Sequence, residues 1–393
     1  MKILPRLLLV TFIECIANTI LLRGIYLIGK YDLHFEDTDN LWLTLIFGLA
    51  NVPACMLADK ITAKIPERKL MLFALLAQVP IQLALLWAKP FWAVAALNVT
   101  IGIMCGLKWP VMQSYVSAGR TPQKTRQALG IFNLSWASGV PIGATIAGTV
   151  ATIYAPYTFK GSIFIFSAGL NIIAALLFWN TPNRPNRLEE SHPERPDLAE
   201  TQRLTHLLSA HRMIMFASYA TMIVISALLP GVLKNMEIAE RENSAISSVF
   251  DWCRLAVFIF LGAYAGWHGK RWPIFVSIIF MPVGFFLTLF APNVGLVMLG
   301  ELIFGITLGL SYFGALYYAQ VVKNAAVDAG GKHEAFIGSG YAIGPALAIL
   351  AINYSNHLNG LLNSMLIMIL PIFAISSILA AISAFKSTRK LSS

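Results

Sequence analysis

Charged residues are scarce in this chain of 393 residues: they make up 12% of it, whereas hydrophobic residues make up 57%. Soluble domains carry about 25% charged residues, so this composition excludes an ordinary soluble protein. The apolar residues form runs of about twenty, which is the length that crosses the hydrocarbon core of a bilayer as a helix. The runs lack the alternating hydropathy of barrel strands. The sequence therefore predicts an all-α integral membrane protein.

The parts that enzymes and metal sites need are also missing from the sequence. It has no phosphate-binding glycine loop, and "GKHEAF" lacks the second histidine of a zinc site. Its four cysteines lie inside apolar runs without metal-ligand spacing, and we interpret them as buried apolar side chains. We therefore expect no enzymatic activity, no metal and no cofactor.

Twelve apolar segments predict twelve transmembrane helices. They cover approximately residues 5–28, 41–58, 69–88, 91–117, 127–152, 160–179, 213–233, 245–266, 272–291, 293–320, 334–354 and 360–384.

Lysine and arginine are unevenly distributed between the predicted loops. If both termini are cytoplasmic, the inner loops hold most of these residues, and the outer loops hold only Lys30, Lys89, Lys160, Lys234 and Arg241. Cytoplasmic loops are normally rich in lysine and arginine, so this orientation is the expected one. The net charge of +10 then reflects topology, and no nucleic-acid partner is expected. Short loops are typical of a bacterial inner-membrane protein.

One long polar stretch divides the chain. It begins with "TPNRPNRLEESHPERP" and predicts a cytoplasmic linker over residues 181–212, between bundles of six helices at 1–180 and 213–393. The leucines near its end are also compatible with an amphipathic helix on the inner membrane surface.

The two predicted bundles repeat a pattern of glycines. "GIMCGLKWPVMQSY", which starts at Gly102, aligns with "GITLGLSYFGALYY", which starts at Gly305, 203 residues later. Two partial copies of a second motif follow the second and eighth segments. The first copy contains Asp59 and Lys60, and the second contains Gly262, Gly269, Lys270 and Arg271.

Six plus six helices with this loop motif resemble the major facilitator superfamily, whose signature is Gly-x-x-x-Asp-(Arg/Lys)-x-Gly-(Arg/Lys)-(Arg/Lys). The resemblance covers almost the whole chain. It implies two pseudo-symmetric six-helix bundles that rock around a central site, and it implies that the motif residues form a latch between the halves. The clusters Gly139–Pro141–Gly143 and Gly344–Pro345 loosely resemble the glycine-proline motif of exporters in this family.

Ionisable residues lie within the predicted spans, where each costs about 2.5–3.5 kcal/mol on insertion scales. The acids are Glu14, Glu301 and Asp251, and we expect the proton carrier to be among them. Each also has a structural interpretation. Glu14 would pair with Arg23 or Lys108, Glu301 would be a hydrogen-bonded acid, and Asp251 would pair with the residue three positions later.

Other polar and aromatic residues of the predicted spans are candidates for contact with a solute. They are Asn18, Arg23, Lys108, Gln113, Asn133, Trp136, Arg254, Tyr312, Tyr317 and Tyr341. Packing is the alternative for the aromatic residues. For Lys108 and Arg23 the alternative is a head group that reaches the membrane surface.

These features predict a monomeric secondary transporter that moves a small organic solute by alternating access, with protons and the lipid bilayer as its other partners. Export of an amphiphilic compound and uptake of a sugar- or nucleoside-like solute both remain open. The glycine-proline clusters favour export, whereas Asn98 stands where proton-linked relatives of this type carry arginine. A scaffold without transport activity is the alternative from another functional class.

Overall fold

The structure is a computed structural model that describes residues 3–117, 122–153, 161–185, 198–323 and 327–387. The described residues form α-helices, joined by short turns, and include no strand. The helices are α1 Ile3–Tyr31, α2 Asp37–Lys64, α3 Glu67–Ala84, α4 Phe91–Ser117, α5 Pro122–Thr152, α6 Ser162–Phe178, α7 Leu198–Asn235, α8 Glu240–Ile246, α9 Val249–Ala263, α10 Trp272–Phe290, α11 Val294–Lys323, α12 Val327–Asn353 and α13 Leu361–Lys386.

The predicted all-α membrane fold is confirmed. Ten helical segments of the described chain are long and apolar enough to cross a membrane, with α8 and α9 counted as one segment, Glu240–Ala263. The other two predicted spans are shorter helices. α6 has 17 residues, and α3 has 18 residues and begins with three charged side chains.

Two helices differ from the predicted segments at their ends. α7 starts at Leu198 inside the predicted linker, because Leu204, Leu207 and Leu208 form an apolar stripe that packs into the core. The predicted eighth segment is interrupted between α8 and α9. There, the Ser248 hydroxyl donates to the Ala245 carbonyl at 2.6 Å, a side-chain bond that competes with helix continuation. The division at 1–180, 181–212 and 213–393 stays a prediction.

The repeated glycines bring equivalent helices of the two halves together in the same way. We call α1–α6 the first half and α7–α13 the second half. At four glycines the neighbouring helix lies so close that any side chain would collide with it. In the first half, Gly102 lies against the Phe47 carbonyl and Gly106 against the Asn51 carbonyl. In the second half, Gly305 lies against the Phe250 carbonyl and Gly309 near the Arg254 carbonyl. The partner positions are themselves 203 residues apart, so the internal repeat extends from α4 and α11 to α2 and α9.

Hydrogen bonds connect the two halves at one end of the bundle. The side that holds the start of α1 and the end of α13 is called the terminal side, and the opposite side is the distal side. On the distal side, Tyr31 donates to the Ile238 carbonyl at 2.8 Å and the Gly148 amide donates to Ser244 Oγ at 2.9 Å. These bonds close the distal side of the interface.

Candidate functional site

A cavity of about 220 Å³ lies between the two halves. Four helices of the first half (α1, α2, α4 and α5) and four of the second (α7, α9, α11 and α12) supply its lining. Eight predicted site residues line it: Asn18, Arg23, Gln113, Trp136, Asp251, Arg254, Tyr312 and Tyr341. Contact of these residues with a solute stays a prediction.

One wall of the cavity is built from aromatic rings. The ring centroids of Trp136 and Tyr312 lie 5.2 Å apart, and Tyr219 lies 5.8 Å from Tyr312 and 6.0 Å from Tyr341. Because rings from both halves take part, this wall crosses the interface. Flat apolar surfaces of this kind suit an organic solute with an apolar body.

Three charged side chains form a bridge at the distal end of the cavity. The Asp251 carboxylate forms an ion pair with Arg254 Nη2 at 2.8 Å and accepts a hydrogen bond from Arg23 Nη2 at 3.0 Å. Asp251 and Arg254 belong to α9, whereas Arg23 belongs to α1. The predicted pair along one helix is therefore present, and it is extended by a second arginine from the other half.

Glu334 also lines the cavity, although it was not among the predicted site residues. Its Oε1 accepts from Gln113 Nε2 at 2.8 Å, which links α12 to α4 on the terminal side of the cavity. The predicted eleventh segment began at residue 334, so this acid was counted as a boundary residue. α12 begins at Val327, which places Glu334 two turns inside the helix.

Glu14 and Lys108 form a buried ion pair behind the cavity. Lys108 also donates to Gln78 Oε1 at 2.7 Å, and Asn18 donates to Glu14 at 2.6 Å. Of these four residues, only Asn18 reaches the cavity lining. The pairing of Glu14 with Lys108 was one of the two partnerships that the sequence left open.

Three other predicted site residues lie away from the cavity lining. Asn133 accepts from Trp136 Nε1 at 2.9 Å and so orients that ring. Tyr317 stacks on His268 with ring centroids 4.6 Å apart. Glu301 is fully buried, and neither of its oxygens has a hydrogen-bond partner among the described residues.

The predicted latch residues lie on the terminal side. Asp59 and Lys60 are exposed, and the described residues give the Asp59 carboxylate no ion pair. The second copy is ordered within its own half. Gly269 has φ +68°, its carbonyl accepts from Arg203 at 3.0 Å, and its amide donates to Tyr318 at 2.8 Å. Of the remaining members, Gly262 and Lys270 are exposed, and Arg271 lies over the ring of Phe385.

The family model described as Major Facilitator Superfamily matches residues 7–229, more than half of the chain. The chain belongs to the major facilitator superfamily. The family that the loop motif and the predicted helix pattern resemble is thereby confirmed. Membership makes the chain a multi-pass integral membrane protein of a transporter family. The cavity lies between the two halves, where transporters of this family have their substrate sites.

Solved structures of three other transporters share the fold of this superfamily member. The chain is similar to a bacterial homolog of the human lysosomal transporter Spinster, in an inward-facing and unoccupied conformation, with 13% identity, TM-score 0.68 and 100% of both chains covered. It is similar to a mutant of the nucleoside transporter NupG, with 12% identity, TM-score 0.67 and 98% of both chains covered.

A third similar structure is a POT family transporter in complex with 5-aminolevulinic acid. It has 13% identity and TM-score 0.71, and the match covers 98% of this chain and 96% of that one. At these identities the likeness shows the fold alone. No curated protein sequence matches the chain.

Proposed function

We propose that this superfamily member is a secondary active transporter that moves a small organic solute by alternating access and couples the movement to protons. The observation that carries the proposal is the cavity between the halves, with the Arg23–Asp251 ion pair connecting α1 to α9 at its distal end. A charged contact that spans the moving interface gives a solute or a proton a direct means of changing how the halves meet.

Acids near this interface supply the coupling groups in the proposal. Asp251 and Glu334 line the cavity, and each contacts a residue of the other half. Glu14 and Glu301 lie behind the lining and remain proposals for the proton site. A proton that neutralises an acid in such a cross-half contact weakens the contact, and a proton thereby changes the balance between two arrangements of the halves.

The distal closure supports an inward-facing arrangement if the termini are cytoplasmic. We propose this orientation from the distribution of lysine and arginine, together with an inner-membrane location and a monomeric state. Export of an amphiphilic compound is the proposed direction. Uptake of a sugar- or nucleoside-like solute is the alternative, favoured by Asn98, which stands in place of an arginine and donates to the Leu43 carbonyl at 2.6 Å.

The test uses the full chain in proteoliposomes that contain a trapped pH indicator. A panel of small organic solutes is added outside, and both solute uptake and internal pH are followed. We expect at least one solute to move protons with it, and a proton gradient to drive that solute against its own gradient. Solute flux without any response to the proton gradient contradicts proton coupling. If no solute of the panel binds or crosses, the scaffold alternative is favoured.

A further inference from the structure

The bridge Arg23–Asp251–Arg254 contains more hydrogen-bond donors than acceptors. Each carboxylate oxygen of Asp251 is already in ion-pair contact with a guanidinium. By contrast, Arg23 Nη1 and Arg254 Nε have no partner among the described residues, and the Arg254 side chain is only 3% exposed. A buried donor without a partner is unfavourable, so this end of the cavity lacks an acceptor.

The charges at this end are also unequal. Among the residues that line the distal end, two guanidiniums share one carboxylate. Glu301, which interacts electrostatically with Arg23, is buried behind this lining. Glu334, the other acid in the described lining, accepts from Gln113 at the terminal side. A planar guanidinium binds a carboxylate through two parallel hydrogen bonds, and this match adds both strength and orientation.

Aromatic rings lie directly beside these guanidiniums. The Arg254 guanidinium carbon lies 5.2 Å from the centroid of Trp136, and that of Arg23 lies 5.0 Å from Phe250. Trp136 in turn contacts Tyr312 across the interface. An anion held at the bridge would therefore place the rest of its structure against a wall of rings, within a volume that suits a small molecule.

From these observations we infer that the solute is a small organic anion with a flat apolar body, and that its carboxylate binds between Arg23 and Arg254. This inference rests on the proposed function and names its substrate class. The incoming carboxylate would accept from guanidinium N–H groups and compete with Asp251 for Arg23. Because Arg23 belongs to the first half and Asp251 to the second, anion binding would loosen one contact between the halves at the distal end of the cavity.

The experiment measures equilibrium binding to the purified full chain by calorimetry, without transport. The probes are benzoate, phenylacetate and phenylpropionate, each compared with its primary amide, and phenethylammonium as the cation. We expect at least one carboxylate to bind about tenfold or more tightly than its amide, the difference expected for a charged hydrogen-bonded pair. If no carboxylate binds more tightly than its amide, or if the cation binds best, the inference is overturned.

Variants locate the binding site of the anion. Arg254→Gln and Arg23→Gln should each weaken the carboxylate by about tenfold while leaving the amide unchanged, and Arg254→Lys should weaken it less. Arg6→Gln is the matched control, since Arg6 lies on the same helix as Arg23 and bonds to the Asn180 carbonyl outside the cavity. If the Gln variants do not fold, the two Arg→Lys variants provide the same comparison. Equal loss in Arg6→Gln contradicts a specific site.

Binding and flux together separate this inference from the proposed function. Anion-selective binding without any solute flux in proteoliposomes supports the anion site and contradicts transport. Proton-linked flux of neutral or cationic solutes, without preference for carboxylates, supports transport and contradicts the anion site.

Discussion

At the scale of single residues, Asp251 is the group on which the cavity's charge balance depends. It is the acid that the buried Arg254 and the half-buried Arg23 share, so Asp251→Asn would remove the carboxylate that both guanidiniums contact. Breaking a buried ion pair by removing one partner costs about 3–5 kcal/mol. We therefore expect Asp251→Asn to lower the melting temperature by several degrees, measured by thermal unfolding of the purified protein in detergent.

A double-mutant cycle provides the control for this prediction. In Arg23→Gln the pair is removed from the other side, so the combined variant should be less destabilised than the sum of the two single variants. The Arg6→Gln substitution should add independently to Asp251→Asn. Strict additivity of Arg23→Gln and Asp251→Asn would show that the cross-half pair contributes nothing.

Glu334 and Glu14 give contrasting predictions for proton coupling. Glu334 lines the cavity and contacts the other half through Gln113, whereas Glu14 is held by Lys108 behind the lining. We expect Glu334→Gln to abolish proton-driven accumulation of solute while solute exchange without a gradient survives, because the amide can still form hydrogen bonds but cannot take up and release a proton. Both activities are measured in proteoliposomes with the same solute.

Glu14→Gln is the comparison for this measurement. It leaves Lys108 buried without its carboxylate, so we expect it to lower stability, with partial recovery when Lys108 is also changed to Gln. If Glu14→Gln loses coupling while keeping exchange, and Glu334→Gln retains coupling, the proton site is Glu14 and not Glu334.

The residues of the site could be predicted from sequence only in part. A charge inside an apolar run is visible, and so Arg23, Asp251 and Arg254 were identified. The i,i+3 spacing also gave the pair within α9. Nothing in the sequence shows which helices of opposite halves are neighbours, so the Arg23–Asp251 contact was not predictable. Glu334 was missed because a hydropathy boundary was placed on it.

At the scale of helices, the internal repeat places Glu301 where the first half has the buried amide of Asn98. Asn98 occupies the equivalent position in α4 and donates to the carbonyl of Leu43 at 2.6 Å. The residue equivalent to Leu43 in the second half is Ile246, the last residue of α8. An amide can donate to a carbonyl, and a carboxyl group can do so only when it is protonated.

We therefore expect Glu301→Asn to be tolerated, with a melting temperature equal to or above that of the unchanged protein. Glu301→Lys should lower the melting temperature, because a buried ammonium has no partner there. Asn98→Ala, the matched change in the first half, should cost about 1 kcal/mol by loss of one buried hydrogen bond. A clear loss of stability in Glu301→Asn would mean that the carboxylate itself is needed.

The all-helical architecture and the approximate positions of the apolar helices could be predicted from hydropathy, whereas helix ends and the number of separate helices could not. Apolar runs of about twenty residues identify spans regardless of tertiary context. The start of α7 depends on Leu204, Leu207 and Leu208 finding a core to pack against, which a polar flanking sequence conceals. The α8–α9 interruption depends on side-chain hydrogen bonds of two serines.

At the scale of the whole molecule, the distal closure predicts that a covalent link there stops transport. Thr145 Oγ1 of α5 and Ser248 Oγ, between α8 and α9, are 2.9 Å apart and belong to opposite halves. Cysteines at such positions are close enough to form a disulfide. We expect oxidised Thr145→Cys/Ser248→Cys protein to lose nearly all flux in proteoliposomes and a reducing agent to restore it.

The single variants Thr145→Cys and Ser248→Cys are the controls, since neither can form this link. They should keep their flux under the same oxidant, because the native cysteines are buried or half-buried. A cross-linked protein that transports at the original rate would show that the distal side does not open during the cycle.

The matched glycine contacts have a consequence for how selectivity can diverge. The close contacts between helices are equivalent in the two halves. The residue that contacts the glycine is nevertheless Asn51 in α2 and, 203 residues later, Arg254 in α9. Three of the four charged residues in the described lining, all except Arg23, come from the second half. Both halves thus keep the close glycine contacts between helices, whereas most charged residues of the lining belong to the second half. A change of solute specificity can accordingly arise from substitutions confined to α9 and α12, while the glycine contacts between helices stay unchanged.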